Sequence, residues 1–417
     1  MTIYQENLGI LWGSLIIDEL IRNGANYFCI SPGSRSTPLT VAAARHPGAK
    51  NIVIYDERSA AFHALGYARG SGKPAVLICT SGTAIANYAP AVVEAAMDYI
   101  PMIILSADRP AEKIETGANQ TIRQSNFFGD YVRWHFDLPS PNEEVNPEMV
   151  LTTIDHAVHQ AISDPRGPVH INCHFREPLA PLKKKISPNY IMKLKGWKTS
   201  RKPYTVYSVA RKAALNSDID KFASVINATR KGLLVIGRLK SDEEYQAVKN
   251  LSDQLGWPVF ADILSGLRLG NPQENLIPYF DLMLLAEEVH ESLKPDTILH
   301  LGEQPASKRF LQFVEKVQPK NYLLVSNHSF RSDPTHRITW RLVYHLEEFC
   351  HVIGPHLKPR FDEKWFKFLK DHCQALEKRV NDILKTRTDI SEPGVSRLLS
   401  EMIPDSHLLF LANSLPI

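Results

Sequence analysis

Features that would set this chain apart from ordinary globular proteins are scarce in its sequence. Its 417 residues contain five cysteines, none of them in a CxxC pair, which disfavours a disulfide framework or a zinc site and favours buried thiols in a reducing cytoplasm. No apolar run approaches the roughly 20 residues of a membrane span, because Asp18, Glu19 and Arg22 interrupt the best candidate. The first ten residues also lack the basic segment of a secretory signal. We therefore expect a cytoplasmic protein without a membrane span.

A strong excess of charge is missing as well. The 48 basic and 45 acidic residues nearly cancel and leave a formal net charge of +3. The composition therefore gives no reason to expect binding to nucleic acid or to an anionic membrane. Hydrophobic residues make up 44% of the chain, which is enough for packed cores. A chain of this length is expected to form two or three domains of about 100–200 residues each.

Apolar runs typical of strands alternate with helical segments along most of the chain. The first group is NYFCIS, NIVIYD, PAVLICT, PMIILSAD and PVHINCHF, and the pattern resumes with GLLVIG, PVFADI, DTILHLG and NYLLVSN. These runs are continuously apolar, which predicts strands buried on both faces, as in a parallel sheet covered by helices. The sequence therefore predicts an α/β fold built on parallel sheets.

Changes in composition indicate three regions. We expect residues 1–180 to form a first α/β domain, and residues 181–355 to hold a linker and a central α/β domain. The linker is basic and rich in turn residues, so we expect it to be solvated. Residues 356–417 indicate a long charged helix, a second helix at GVSRLLSEMI and an apolar strand at HLLFLANS.

Four of the strand ends in the first domain carry unusual residues: SPGSRS (31–36), DE (56–57), TSGT (80–83) and ADRP (107–110). Each could be a turn or a helix cap when taken alone, with Asp56 as an N-cap. In a doubly wound sheet, however, ligands bind beyond the carboxyl ends of the strands. The shared location of these segments on one edge of the sheet therefore predicts a binding site.

Several common catalytic motifs are absent from this edge. No strand is followed by GxGxxG or GxxxxGK[ST], so no standard phosphate cradle is present. No GxSxG elbow supports a serine hydrolase. What remains is a carboxylate at a strand end, with small residues nearby that would admit a flat ligand.

The strings ISPGSRSTPLT, YDERSAAFHALGYARG, TSGTAIAN, SADRP and GANQTIRQ closely resemble the pyrimidine-binding domain of thiamine-diphosphate enzymes. More narrowly, they resemble the 2-succinyl-5-enolpyruvyl-6-hydroxy-3-cyclohexene-1-carboxylate (SEPHCHC) synthases of menaquinone biosynthesis. DILSGLR, SKRFLQ and ANSLPI continue the likeness, so it spans essentially the whole chain. The resemblance implies a pyrimidine-binding domain, a central α/β domain and a third, diphosphate-binding domain that is truncated here.

The resemblance implies a catalytic role for Glu57. In this family the glutamate that opens the helix hydrogen-bonds N1′ of the cofactor's aminopyrimidine and thereby helps to generate the nucleophilic carbon of the thiazolium ring. The same likeness places Pro32, Thr80 and Asn87 beside the cofactor. Asp56 is then expected to act only as the helix cap.

The substrates implied by the family are 2-oxoglutarate and isochorismate, both dicarboxylates. The enzyme decarboxylates the first on thiamine diphosphate and adds the resulting succinyl-semialdehyde carbanion to the second. Arg35 and Arg109, at two strand ends, suit carboxylate binding because guanidinium groups form charge-assisted hydrogen bonds to carboxylates. The other positions that match the family's substrate site are Ser34, Asn119, Gln120, Lys308 and Arg309.

A Gly-Asp-x motif followed about 30 residues later by an asparagine, which holds Mg²⁺ in thiamine-diphosphate enzymes, does not occur in the sequence. We therefore expect no metal ligands in this chain and little or no activity from it alone. Two alternatives stay open, namely a non-catalytic carboxylate-binding or oligomer-modulating protein and another thiamine-diphosphate 2-oxo-acid lyase. The family implies a homodimer or homotetramer. Flavin is not expected, because LVIGRLKS lacks a glycine-rich phosphate loop.

Overall fold

The computed structural model describes residues 4–208, 214–270, 273–360, 362–387, 389–404 and 406–407. The chain divides into two compact units, Met1–Ala210 and Arg211–Ile417. The strand expected at HLLFLANS lies, from residue 408 onward, outside the described residues. Among the described residues, no helix combines the length and the apolar character needed to cross a lipid bilayer.

The first unit is built on a parallel sheet. Its strands are β1 Tyr27–Ile30, β2 Lys50–Val53, β3 Ala75–Cys79, β4 Met102–Asp108, β5 Trp134–Leu138 and β6 Pro168–His174. In the described part of the unit they lie in the order β2-β1-β3-β4-β6-β5, and every pairing is parallel. This arrangement confirms the expected parallel α/β fold.

Helices cover both faces of this sheet. They are α1 Leu8–Arg22, α2 Thr37–Arg45, α3 Glu57–Ser71, α4 Ala84–Asn87, α5 Ala89–Met97, α6 Glu148–Ile162, α7 Pro188–Met192 and α8 Lys195–Thr199. The apolar sides of α1, α2 and α6 share one core with the sheet, and those of α3, α4 and α5 share the core of the opposite face. The buried strands thus owe their continuous apolar character to a helical layer on each side.

Two elements of the first unit differ from the expectation. Strand β2 is largely exposed, because it is the edge strand and has a neighbour on one side only. The helical pattern of TAIANYAPAVVEAAMDYI predicts one helix, but the structure divides the segment into α4 and α5 at Tyr88. Pro90 follows this junction, and since proline has no N–H to donate to the preceding turn it ends one helix and starts the next.

The segment expected to be a solvated linker is partly a piece of the core. Tyr190, Leu194 and Trp197 are 3%, 0% and 4% exposed. Their spacing of four and three residues places them on one face of a helical segment, and the indole Nε1 of Trp12 donates a 2.9 Å hydrogen bond to the Tyr190 hydroxyl. The basic residues before them, at 183–185, are exposed as expected.

The second unit is also built on a parallel sheet. Its strands are β7 Gly232–Ile236, β8 Val259–Ala261, β9 Thr297–Leu301, β10 Asn321–Ser326 and β11 Trp340–Val343. Within the described ranges of this unit the order is β11-β10-β9-β7-β8, again with parallel pairs. Its helices are α9 Asn216–Ala228, α10 Asp242–Leu255, α11 Phe280–Met283, α12 Glu287–Leu293, α13 Lys308–Val317, α14 Leu346–Ile353, α15 Glu363–Thr386 and α16 Glu392–Met402.

Candidate active site

The candidate site lies at the carboxyl edge of the first sheet. Because its strands are parallel, the segments that follow β1, β3, β4 and β6 all emerge at this edge. The strand order changes direction between β1 and β3, which is the switch point where doubly wound sheets form a crevice. The two loops at this point are residues 31–36 and 80–83.

These two loops are packed directly against each other at Gly33. A Cβ atom added to Gly33 would lie 2.3 Å from the Cβ of Thr80. The backbone of Gly33 is extended, with φ at −170°, so the demand for glycine here is steric. The contact sets the separation of the loops at the crevice.

We expect the Gly33→Ala protein to be destabilised by about 1–3 kcal/mol, the usual cost of overpacking a tight contact. Chemical denaturation would measure the change. Gly66→Ala is the matched control, because nothing lies within 4 Å of its added Cβ and it sits inside α3, where alanine is favoured. Equal stability of the Gly33→Ala and parent proteins would contradict the close approach.

Glu57 is the first residue of α3, and it is half-buried. The preceding Asp56 caps the helix, since its Oδ1 accepts a 2.7 Å hydrogen bond from the Ser59 N–H. Hydrogen bonding by Ser59 lowers the pKa of Asp56, which is exposed. The Asp56 carboxylate therefore caps the helix, and the Glu57 carboxylate is left available for a ligand.

The Glu57 carboxylate makes no hydrogen bond or ion pair within the described part of the chain. Its negative charge acts on the buried Tyr88, where it adds to the effect of burial in raising the pKa of the phenol. A carboxylate placed in this way can accept or share a proton with a ligand nitrogen.

The turn at 80–83 is held by a left-handed glycine and a buried glutamine. Gly82 has φ at +88°, and its N–H donates a 2.8 Å hydrogen bond to Oε1 of Gln124. Thr80 is half-buried in the crevice. Asn87, at the end of α4, is exposed and donates to the Thr83 carbonyl at 3.3 Å.

Two arginines lie on segments of this edge, Arg35 after β1 and Arg109 directly after β4. Arg35 is 5% exposed, and its Nη1 donates to the Phe175 carbonyl at 2.9 Å, while its Nη2 lies 3.4 Å from Oε1 of Glu177. Burial lowers the pKa of Arg35, and the positive charge of Arg109 lowers it further. The Nη2 of Arg109 donates to the Asn119 carbonyl at 2.9 Å.

Both of these guanidinium groups keep an unused donor. Among the described residues, neither the Nε of Arg35 nor the Nε of Arg109 has a hydrogen-bond partner, although both atoms are buried. A buried, unpaired donor costs free energy, and two like charges close together cost more. An anion bound near the two guanidinium groups would reduce their repulsion, so their charges suit a carboxylate ligand.

The remaining expected residues of the first unit lie around this edge. Pro32 and Ser34 are exposed on the loop after β1. Asn119 and Gln120 are exposed on the loop after β4, and Gln120 adopts a left-handed backbone with φ at +54°. The structure thus brings all of the residues expected in the first unit to one edge of its sheet.

Lys308 and Arg309 belong to the second unit, where they begin α13. Ser307 caps this helix by accepting a 3.0 Å hydrogen bond from the Phe310 N–H. Lys308 is exposed, and Arg309 is half-buried and forms an ion pair with Asp281. Two cations in a first helical turn oppose the helix dipole, so their placement does not follow from helix stability.

The sequence analysis missed a buried polar network beneath this edge. Gln124, Asn172 and Asp108 are each 1% exposed. The Asn172 Nδ2 donates to Oδ2 of Asp108 at 2.9 Å, and burial raises the pKa of that carboxyl. Gln124 is the last residue of the string GANQTIRQ, and its place in that string is the only feature of the sequence that could have indicated its importance.

A metal centre is not evident at this edge. Within the described ranges, no cluster of three or more His, Cys, Asp or Glu side chains is arranged to hold a metal ion. The charged groups that these residues offer at the edge are the Glu57 carboxylate and the guanidinium groups of Arg35 and Arg109.

Two family models match the chain. The one described as "Thiamine pyrophosphate enzyme, N-terminal TPP binding domain" matches residues 12–127, and the one described as "Middle domain of thiamine pyrophosphate" matches residues 188–411. The first covers the crevice and both arginines, and the second falls mainly on the second unit.

Curated relatives match almost the whole chain. A 2-succinyl-5-enolpyruvyl-6-hydroxy-3-cyclohexene-1-carboxylate synthase from Rubrobacter xylanophilus is 43% identical over 407 residues, which is 98% of this chain and 70% of the relative. The protein of the same name from Chlorobium phaeobacteroides is 42% identical over 407 residues, covering 98% and 69%. Protein PHYLLO, chloroplastic, from Arabidopsis thaliana is 39% identical over 429 residues, which is 99% of this chain and 25% of that protein.

Proposed function

This chain belongs to the family of SEPHCHC synthases, and from that premise we propose that it releases CO₂ from 2-oxoglutarate and transfers the remaining four-carbon unit to isochorismate. The family depends on thiamine diphosphate, and the two units have the α/β folds of the N-terminal and middle domains of such enzymes. The proposed reaction belongs to menaquinone or phylloquinone biosynthesis.

The observation that carries this proposal is the pair of positively charged arginines on the segments that follow β1 and β4. The charge of Arg109 lowers the pKa of Arg35, in addition to the effect of burial. Both proposed substrates are dicarboxylates, and a carboxylate bound near the two guanidinium groups would offset their repulsion. Ser34, Asn119 and Gln120 would line the same subsite.

The crevice residues fit the pyrimidine end of thiamine diphosphate. When bound, thiamine diphosphate supplies a carbon nucleophile and an electron sink. Glu57 would share a proton with a ring nitrogen of the pyrimidine, which its half-buried and unpaired carboxylate allows. Pro32, Thr80 and Asn87 would flank the ring, and the tight approach of Gly33 to Thr80 would fix the two loops that carry Pro32 and Thr80.

Three further properties belong to the same proposal. Mg²⁺ would bind with the diphosphate, and the protein would be a homodimer or homotetramer. A cytoplasmic location is supported by the cysteines, since all five are buried and unpaired. The division into regions 1–180, 181–355 and 356–417 is likewise kept as a proposal. A substrate-binding role for Lys308 and Arg309 of the second unit rests on the family resemblance and is kept as a proposal too.

We expect Arg35→Ala and Arg109→Ala each to lower kcat/KM for isochorismate. The loss should correspond to an increase of about 1.5–3 kcal/mol in activation free energy, which is the usual contribution of a charge-assisted hydrogen bond. The measurement is steady-state kinetics on the protein expressed from its complete gene. The apparent affinity for thiamine diphosphate should change little.

Arg69→Ala is the matched control, because Arg69 is an exposed arginine of α3 that pairs with Glu94 and Asp98. It should leave kcat/KM for isochorismate unchanged. An equal loss of thiamine-diphosphate affinity in the Arg35 and Arg109 variants would assign these arginines to the cofactor and contradict the proposed subsite.

A further inference from the structure

Gln124 connects three segments at the carboxyl edge of the first sheet. Its Oε1 accepts a 2.8 Å hydrogen bond from the Gly82 N–H. Its Nε2 donates to the Ala107 carbonyl at 3.3 Å and to Oδ1 of Asn172 at 3.0 Å. These partners belong to the turn after β3, to β4 and to β6. One planar amide thus joins the turn at 80–83 to β4, which leads into Arg109, and to β6.

Only a primary amide of this length can make these three bonds together. The Gly82 N–H donates, while the Ala107 carbonyl and the Asn172 oxygen accept, so the side chain must supply one acceptor and two donors. A glutamate offers no donor when it is ionised, and a methionine offers neither function. Since Gln124 is 1% exposed, water cannot replace the lost bonds without a rearrangement.

The glutamine also fixes the loop that precedes it. Gly82 is left-handed, and a Cβ added to it would lie 3.4 Å from the Cα and carbonyl oxygen of Gln120. The turn at 80–83 therefore packs against the loop at 119–124 at Gln120 and is hydrogen-bonded to it at Gln124. A shift of Gln124 would move the turn beside the cofactor crevice and the proposed isochorismate residues Asn119 and Gln120 together.

Hydrogen bonds continue from Gln124 to Arg109. Asn172 donates from Nδ2 to Asp108 at 2.9 Å, and Oδ1 of Asp108 accepts a 2.7 Å hydrogen bond from the Arg109 N–H. Asn172 also accepts a 2.9 Å hydrogen bond from the Ser106 hydroxyl, so its side chain is held from both ends. A continuous buried path thus runs from Gly82 to the backbone of Arg109.

We infer that Gln124 is a positioning residue that holds the turn at 80–83, the loop at 119–120 and Arg109 in one fixed arrangement. Its role is to set the cofactor crevice and the isochorismate carboxylate subsite at the separation that the transfer requires. This inference rests on the proposed function, since it assumes that Arg109 binds isochorismate.

A double-mutant cycle between Gln124→Met and Arg109→Ala tests this inference in the protein expressed from its complete gene. We expect Gln124→Met to raise KM for isochorismate about 10-fold. In the Gln124→Met background, Arg109→Ala should then cost less than about a third of its penalty in the parent, because contacting networks give non-additive effects. A merely structural role would lower stability and leave the Arg109→Ala penalty the same.

Arg123→Gln is the matched control, because Arg123 is the neighbouring residue, is exposed and pairs with Glu115. Its cycle with Arg109→Ala should be additive. Gln124→Glu provides a second variant that keeps the acceptor for Gly82 and loses both donors, and it should show the same coupling as Gln124→Met. A Gln124→Glu protein that does not fold would overturn the inference, since the role would then be structural.

The cycle distinguishes failure of the proposed role of Arg109 from failure of the positioning role of Gln124. If Arg109→Ala alone leaves kcat/KM for isochorismate unchanged, the proposed function of Arg109 is wrong, and the inference falls with it. If Arg109→Ala has its expected effect but the cycle with Gln124 is additive within twofold, the proposed function stands and the positioning role is overturned.

Discussion

Replacing Glu57 with glutamine is expected to lower kcat by at least about 10²–10⁴-fold, the usual contribution of a positioned proton-transfer group, while the fold is retained. Glutamine keeps the shape of the side chain but cannot hold the shared proton of a carboxylate. The position makes a structural effect small, because Glu57 has no hydrogen bond or ion pair within the described residues. Steady-state kinetics and thermal unfolding of the protein expressed from its complete gene would measure both quantities.

Asp56→Asn is the matched control for Glu57→Gln. The two acids are adjacent, but Asp56 caps α3 through the Ser59 N–H, and asparagine is an equally good N-cap. Its kcat should therefore stay within a few-fold of the parent. A Glu57→Gln enzyme with near-parental kcat, or an Asp56→Asn enzyme with the larger loss, would show that the acid at this turn has been assigned wrongly.

The second large effect concerns a buried carboxyl pair in the first unit. Glu19 is 0% and Asp155 is 1% exposed. Oε1 of Glu19 accepts a 2.6 Å hydrogen bond from the Tyr204 N–H, and Oδ2 of Asp155 accepts one of 2.6 Å from the Thr205 N–H. Burial, followed by hydrogen bonding to Asp155, raises the pKa of Glu19 to about 8. The pair holds the extended segment after α8.

The raised pKa of Glu19 predicts how stability depends on pH. The ordinary pKa of the group is 4.5, so between about pH 4.5 and 8 the folded state keeps a proton that the unfolded state has released. The free energy of unfolding therefore falls as pH rises through this window, and it stops falling above pH 8. The contribution amounts to roughly 3–4 kcal/mol across the window.

Glu19→Gln should abolish this dependence. Chemical denaturation at several pH values from 5 to 9 would measure the free energy of unfolding of both proteins. As pH rises, the value for the parent should fall by roughly 3–4 kcal/mol relative to that of the variant. Glu94→Gln is the control, since Glu94 is an exposed carboxylate in an ion pair with Arg69 and should shift by less than about 1 kcal/mol. A parallel pH dependence in parent and Glu19→Gln proteins would contradict the raised pKa.

The central strands could be predicted from the sequence, whereas two edge strands could not. β4 and β9 are continuous apolar runs and were recognised on that basis. β5 (WHFDL) and β11 (WRLV) lie at the edges of their sheets. An edge strand has a neighbour on one side only and can keep polar residues, and β5 and β11 do so, whereas the edge strands β2 and β8 belong to apolar runs and could be predicted.

Some residues of the candidate site could likewise be predicted from the sequence, and others could not. Glu57, Arg35 and Arg109 follow apolar strands directly, so their common edge could be predicted from the order of the elements. Gln124 could not be placed, because it lies far along a loop and its importance depends on partners in the turn after β3, in β4 and in β6. The burial of Trp197 was missed because lysines and turn residues dominate the composition around it, although its spacing from Leu194 and Tyr190 is helical.

The most direct test of the account is mass spectrometry of the products formed by the protein expressed from its complete gene. The reaction would contain thiamine diphosphate, Mg²⁺, isochorismate and 2-oxoglutarate labelled with ¹³C at every carbon. The account predicts a product in which isochorismate carries the four labelled carbons left after loss of one labelled CO₂, and it predicts that Glu57→Gln removes this product. Labelled CO₂ without a labelled isochorismate adduct, or no turnover of 2-oxoglutarate at all, would contradict it.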